Sequence, residues 1–315
     1  MVLGIDLGGT KLATALFTES GNLVKKDSRA LDRRAGKQVG ELIRETVAGY
    51  LASVDSRVGA IGVSVPGISR AKTGTVWAPN IPGWEDYPLL EEIKQVAGNI
   101  PVSMDSDRAC CILGELWRGN ARGCKDAIYL AVGTGIGAGI LIDGTILRGA
   151  HDIAGSVGWM ALDKPFRDKY IACGCFEYYA SGDGIAKLAL EMLSGDNAYD
   201  GPLKNCAPDA LTAHDVFKGF DNNDPIALKV FDECIQYWGM AVANLISIFN
   251  PEKIIFGGGV FGPALKFLDQ IRLEARKWAQ PISMTKVTFE PSGLHGDAAI
   301  YGAGFLALNK ITDNE

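Results

Sequence analysis

An apolar strand that runs straight into an acidic, glycine-rich turn opens the chain: Val2-Leu3-Gly4-Ile5-Asp6-Leu7-Gly8-Gly9-Thr10-Lys11. The Gly8-Gly9 pair lets the backbone approach an anion closely and aim N–H groups at it, while Thr10 adds a hydroxyl and Lys11 a positive charge. Asp6, at the strand end, is placed to hold a cation, directly or through water. A tight hairpin turn explains the same residues, since glycine pairs are common turn chemistry. The pattern returns, however, and its return constrains the fold. From Ala127 the chain reads Ile128-Tyr129-Leu130-Ala131-Val132-Gly133-Thr134-Gly135-Ile136-Gly137-Ala138-Gly139-Ile140-Leu141-Ile142-Asp143-Gly144, again strand, glycine and threonine turn, strand. Two separated copies of one supersecondary unit imply an internal duplication, with two related lobes facing one nucleotide. The stretch from Gly133 to Gly137 is a poor dinucleotide fingerprint, because an apolar strand follows the glycines where that fingerprint needs a helix.

At 315 residues the chain has the length of about two domains, each able to bury a core. A net charge of −6 and a pI near 5.3, without a basic cluster, argue against a nucleic-acid surface. No apolar run reaches the roughly 18 residues of a membrane span, and the start does not read as a signal peptide. Seven cysteines in such a chain read as reduced thiols. The expectation is a cytoplasmic protein with no membrane or nucleic-acid partner.

Strands and helices alternate along the chain. Residues 1–17 form a hairpin, a third strand starts at Leu23, and residues 36–54 form an amphipathic helix. Residues 58–65 are an apolar strand ending at Pro66-Gly67, and 67–88 read as a long, proline-punctuated loop of the kind that often carries function. The strand Ile100-Pro101-Val102-Ser103-Met104-Asp105-Ser106-Asp107 ends in polar residues just before a helical pattern from Arg108 to Trp117. Asp105, Ser106 or Asp107 would cap that helix, and a carboxylate there is also well placed for chemistry. The apolar pattern of residues 227–249 (Phe231, Ile235, Trp238, Val242, Leu245, Phe249) reads as core or subunit interface. Pro251-Glu252-Lys253-Ile254-Ile255-Phe256 runs into Gly257-Gly258-Gly259, where a flat ring can approach bare backbone. His151, His214 and His295 read as surface or structural histidines.

These residues together resemble the ROK family of repressors, uncharacterised frames and sugar kinases, within the actin-like and hexokinase-like ATPase fold. Asp6-Leu7-Gly8-Gly9-Thr10-Lys11 is similar to its first phosphate motif, Gly133-Thr134-Gly135-Ile136-Gly137 to its second, and Gly257-Gly258-Gly259 to its adenosine motif. Pro66-Gly67 and Ala78-Pro79-Asn80-Ile81-Pro82-Gly83-Trp84 resemble the sugar-side loop, and Asp107, with Leu113-Gly114-Glu115 after it, falls at the catalytic aspartate. The resemblance implies an α/β fold of two duplicated ribonuclease-H-like lobes with a cleft between them. Residues 1–107 plus about 296–315 would form the small lobe and 108–295 the large one. A small-residue helix opening at Gly296-Asp297-Ala298-Ala299 would pack back on the N-terminal lobe.

The chain also departs from the family. Ser106 stands where the family has asparagine; Ser156 and Trp159, in Gly155-Ser156-Val157-Gly158-Trp159-Met160, replace its sugar-contacting glutamate and histidine. That histidine is normally a zinc ligand beside three cysteines. Here Cys173-Gly174-Cys175-Phe176-Glu177 keeps two cysteines, too few for a tetrahedral site, and Cys110, Cys111, Cys124, Cys206 and Cys234 follow no ligand spacing. No zinc is expected.

The resemblance implies transfer of the ATP γ-phosphoryl group to a hydroxyl of a sugar or small polyol. Asp107 would accept the hydroxyl proton, Asp6 would help hold Mg²⁺ through water, and Gly8, Gly9, Thr10, Lys11, Gly133, Thr134, Gly135 and Gly137 would surround the phosphates, with Gly257, Gly258 and Gly259 at the nucleoside. Gly67, Asn80, Ser106, Asp107 and Glu177 would line the acceptor pocket, with Ser156 and Trp159 reshaping it. An indole and a small hydroxyl in place of imidazole and carboxylate argue against unmodified glucose. A non-catalytic sugar or nucleotide sensor, or a partner subunit, is the other reading. The family's repressors carry a DNA-binding arm ahead of the first phosphate motif, and five residues precede Asp6 here. A homodimer is the family expectation.

Overall fold

The computed structural model describes residues 1–53, 58–196, 198–207 and 210–312. Two five-stranded sheets carry the fold, and they share one topology. In the first, β1 (Val2–Leu7), β2 (Lys11–Phe17) and β3 (Leu23–Ala30) form an antiparallel meander, and β4 (Ala60–Val65) and β7 (Val102–Ser106) add in parallel, giving the order β3-β2-β1-β4-β7. In the second, β8 (Ala127–Val132), β9 (Ile136–Ile142) and β10 (Thr145–Ile146) repeat the meander, and β11 (Lys253–Gly257) and β12 (Thr288–Pro291) repeat the parallel pair, in the order β10-β9-β8-β11-β12. The duplication read from the glycine turns is thus a duplication of whole sheets. β9 follows the second turn directly, as the apolar residues after Gly135 require.

Burial explains why β1 and β4 are apolar without alternation. Both lie mid-sheet with helices on their faces, so nearly every side chain is enclosed. β3, at the edge, is exposed throughout and carries Lys25, Lys26, Asp27 and Arg29. The helices of the first half are α1 (Lys37–Ala52), α2 (Leu89–Ala97) and α3 (Asp107–Arg118). Ser106 caps α3, its hydroxyl accepting from Ala109 N at 3.4 Å.

The 67–88 stretch is not the open loop expected. It holds a short hairpin, β5 (Ile68–Arg70) with β6 (Thr75–Trp77), and a packed tip. Trp84 is buried there, stacked on Tyr87 at 4.4 Å between ring centroids, and donates its indole N–H to Gly36 O at 2.9 Å. Strands of three residues leave no period-two signal in sequence, and the aromatic packing that orders them joins distant segments.

The second half adds α4 (Cys175–Ala180), α5 (Gly182–Gly195), α6 (Ala213–Asp221), α7 (Pro225–Phe249), α8 (Leu268–Trp278) and α9 (Pro281–Lys286). α7 shows its boundaries in its residues. Asp224 caps it by accepting from Ile226 N and Ala227 N, Pro225 sits at the first turn, and Asn250 ends it in the left-handed region at φ 45°. Val230, Phe231, Cys234, Trp238, Val242 and Leu245 on this helix are buried, so its apolar stripe is core.

α10 (Ala298–Thr312) closes the chain and packs on β1, β4 and α3. Its approach is close because glycines meet it. A Cβ at Gly62 would collide with the Ala303 carbonyl, one at Gly114 with the Ala298 carbonyl, and one at Gly302 with the Cys110 carbonyl. Among the described residues no helix is long and apolar enough to cross a membrane.

Candidate active site

Both glycine turns open into one cavity of about 800 Å³. Gly9 and Thr10 line it from the β1–β2 turn, Gly133 to Gly137 from the β8–β9 turn, Gly67 and Asn80 from the 66–80 segment, and Gly258 from the end of β11. Asp107, the first residue of α3, and Glu177, on α4, are its acids. Sequence neighbours did not bring these groups together. Parallel strands did, by ending their carboxyl ends at one place, where an open α/β sheet puts its ligand.

Asp6 sits below that lining at the end of β1. Ser64, its register partner on β4, donates to Asp6 Oδ1 at 2.7 Å. Burial, opposed by the Ser64 bond and reinforced by the Asp107 charge, pushes the Asp6 carboxyl up from 3.8 to about 6. Asp107 is also pushed up, chiefly by burial, against the pull of the neighbouring Arg108 charge and the Arg108 N–H that donates to its Oδ1 at 2.7 Å. Two adjacent carboxylates that burial holds above their ordinary range form an environment that favours a bound cation. The donor set is hard oxygen, which suits Mg²⁺.

The first turn is closed by Gly8 N donating to Lys11 O at 2.9 Å. A Cβ at Gly9 would sit 2.9 Å from Asn80 Nδ2, so this glycine lets Asn80 reach the turn. In the second turn, Glu177 Oε2 accepts from Ile136 N at 2.6 Å, and Gly133 O accepts from Gly182 N, the first residue of α5, at 2.7 Å. A Cβ at Gly135 would lie 2.9 Å from Glu177 Oε2. Glu177 therefore holds the phosphate-type turn as well as facing the cavity, and burial raises its carboxyl.

Cavities of about 440 and 380 Å³ flank the glycine run at the end of β11. The larger is lined by Gly133, Thr134, Gly182, Thr212, Phe217 and Gly259, the smaller by Tyr129, Gly257, Gly258, Gly259 and Ser292. Gly258 has φ 86° and packs so closely on Val132 that no side chain fits. His214 lines the larger and His295 the smaller, which places both histidines in cavity walls.

Several residues singled out in sequence stand elsewhere. Asp6, Gly8 and Lys11 are not among the central cavity's lining residues, and Lys11 is exposed. Ser106 is occupied by its cap. Ser156 donates to Ile153 O at 2.9 Å, and Trp159 is 58% exposed, so neither forms a wall of this cavity. The apolar wall expected from Trp159 is absent because the three-residue turn Val157–Trp159 directs the indole outward. Residues that sequence reading missed include Ser64 and Arg108, while Asp105, read there as a possible cap, is buried with its Oδ2 accepting from Arg148 Nε and Nη2 at 2.9 and 2.6 Å. Glu115, fully buried, accepts from Ser292 Oγ, Asn120 N, Gly293 N and Leu294 N and so ties α3 to the segment before α10.

The ROK family model matches residues 2–310. A glucokinase of Halalkalibacterium halodurans is 33% identical over 99% of this chain and 96% of its own length. The chain belongs to the ROK family. Its fold is also that of a ROK hexokinase from Thermus thermophilus (TM-score 0.81, 27% identity, 99% of both chains). A ROK glucokinase from Streptomyces griseus, solved with glucose and AMPPNP, aligns over 98% of this chain and 99% of its own, with TM-score 0.78 and 27% identity. In this ROK protein the two-cysteine segment is tightly folded. A Cβ at Gly174 would lie 2.5 Å from Trp159 Cα, and Tyr170, Tyr179 and Asp163 are joined by hydroxyl bonds of 2.9 and 3.0 Å. Among the described residues no group of three or more His, Cys, Asp or Glu is arranged to hold a metal.

Proposed function

We propose that this ROK protein transfers the γ-phosphoryl group of ATP to a hydroxyl of a sugar or sugar-like polyol. One observation carries the reading: Asp107, the acid at the start of α3, faces the same cavity as both glycine turns. Phosphoryl transfer asks mainly for positioning and charge neutralisation, and this cavity is built from backbone N–H groups and carboxylates. The turns at Gly8 to Lys11 and Gly133 to Gly137 hold the phosphates, and Gly257 to Gly259 border the nucleoside. Gly67, Asn80, Asp107 and Glu177 hold the acceptor hydroxyls. Asp107 accepts the proton of the attacking hydroxyl, and its raised pKa makes it the stronger base. Asp6, steadied by Ser64, would help hold Mg²⁺, which supplies neutralisation of the triphosphate charge. Residues 1–107 with 296–312 act as one lobe against 108–295, and their closure excludes water as a competing acceptor. With two cysteines at Cys173-Gly174-Cys175 and Trp159 in place of a histidine ligand, no structural zinc is expected.

The test is ATP consumption with a mixed panel of sugars and polyols, with Asp107→Asn as control. Activity falling by roughly 10²- to 10⁴-fold in the variant, with nucleotide binding retained, supports the kinase. Ligand binding without turnover in the parent protein overturns it in favour of a sensor.

A further inference from the structure

Resting on the kinase reading, we propose that Arg148 is a positioning residue: it straps the second sheet to the corner between β7 and α3 and sets Asp107 through Asp105. Arg148 follows β10 and sits in the 147–156 segment. That segment is folded on itself and seated on β9. Ala154 N donates to Arg148 O at 3.1 Å, Leu147 N to Ile140 O at 2.9 Å, and Ala138 N to Gly155 O at 2.7 Å. From this seat it reaches the first half of the chain twice. Arg148 Nε and Nη2 both donate to Asp105 Oδ2, and Asp152 Oδ2 accepts from Ala71 N at 3.1 Å, at the tip of the β5–β6 hairpin. Gly67, just before that hairpin, and Asp107, at the start of α3, both line the central cavity.

Both oxygens of Asp105 are committed. Oδ2 is taken by Arg148, Oδ1 accepts from Ser106 N at 2.8 Å, and the side chain is 8% exposed against 38% for Arg148. The next two residues cap and open α3, with Ser106 Oγ accepting from Ala109 N and Asp107 Oδ1 from Arg108 N. The strap is therefore linked to the acid through three consecutive residues. A buried carboxylate that loses its cation is left uncompensated, so the corner must shift or admit water when the guanidinium is removed. Asp107 moves with that corner, and a displacement of about 1 Å at a reacting group costs up to roughly 10²-fold in rate. Arg148 is not among the described residues that line the central cavity, so its effect on the reaction passes through Asp105.

The experiment measures kcat and both KM values with ATP and a panel of D-glucose, D-mannose, N-acetyl-D-glucosamine and glycerol, on the parent protein, Arg148→Ala, Arg148→Lys, Asp105→Asn and the double variant Arg148→Ala with Asp105→Asn. Amide hydrogen exchange is followed on the parent protein and Arg148→Ala. In Arg148→Ala the expected kcat falls by roughly 10- to 100-fold while the KM for ATP changes less than about twofold, and Arg148→Lys recovers part of the loss. Exchange quickens across residues 105–109 and stays unchanged in β8. The double variant falls less than about threefold below the slower single one, because the two groups act as one. An unchanged kcat, a loss confined to the KM for ATP, losses that multiply in the double variant, or exchange that quickens equally in β8 overturns the proposal. If the parent protein turns over none of the panel, the kinase reading fails, and exchange decides this one: faster exchange confined to the corner keeps the hold of Arg148 on it, and unchanged exchange removes it.

Discussion

The two sheets are built to one plan and furnished in opposite ways. At the penultimate residue of its first strand, the N-terminal sheet has Asp6 facing Ser64, and the C-terminal sheet has Ala131 facing Gly257. The N-terminal sheet's parallel strands continue into Asp105, Ser106 and Asp107; the C-terminal sheet's central parallel strand ends in three glycines. One scaffold thus carries charge on one side of the cavity and bare backbone on the other. The difference teaches that the fold supplies two equivalent strand ends, and that side chains divide the labour. In the function proposed above, carboxylates would hold a cation and move a proton, while glycines would leave room for a ring and its phosphates.

The largest expected effect tests that division at matched positions. Asp6→Ala lowers kcat by roughly 10²- to 10³-fold, on the scale of losing one preorganised electrostatic group, whereas Ala131→Ser changes it less than tenfold. Equal losses in steady-state assays would erase the asymmetry. Next come the glycines. Gly62→Val, which meets the Ala303 carbonyl, destabilises the protein by about 3 kcal/mol or more in urea unfolding. Gly259→Ala, with nothing within 4 Å of its Cβ, leaves stability within about 0.5 kcal/mol and acts on nucleotide affinity instead. Glu177→Gln weakens the charge-assisted bond to Ile136 N and costs about 1–2 kcal/mol, read as a lower melting temperature. If the melting temperature does not move, the second turn holds itself.

The smallest effect is one of pH. Burial raises the Asp6 carboxyl from 3.8 to about 6, so the folded state binds its proton more tightly than the unfolded chain. The folded ligand-free protein is therefore penalised increasingly as pH rises from about 4 to 6, and the penalty is full above that. Asp6→Asn should stabilise the ligand-free protein at pH 8, and the gain should vanish below pH 4. A gain that is the same at both pH values means that Asp6 carries no such strain.

Much of this site was legible because its parts are local. A phosphate-type turn is a run of consecutive residues, so Gly8 to Lys11 and Gly133 to Gly137 announce themselves, as does an acid beside the cap of α3. The supporting groups are long-range. Arg148 meets Asp105 across 43 positions and Ser292 meets Glu115 across 177, and no periodicity marks either pair. Trp159 misled for the same reason: its identity is readable, but its direction follows from the turn that carries it.

By itself the sequence determined the duplicated α/β plan, the approximate span and apolar stripe of the long helix, and the turns that can receive phosphate. These depend on backbone freedom and hydrophobic period, which are properties of neighbouring residues. Tertiary structure alone decided that Ser64 steadies Asp6, that Ser106 rather than its acidic neighbours makes the cap, that Ser156 and Trp159 stand away from the cavity, and that Arg108 lines it. Those outcomes depend on which strand ends converge and which charges already have partners, and only the packed chain sets that.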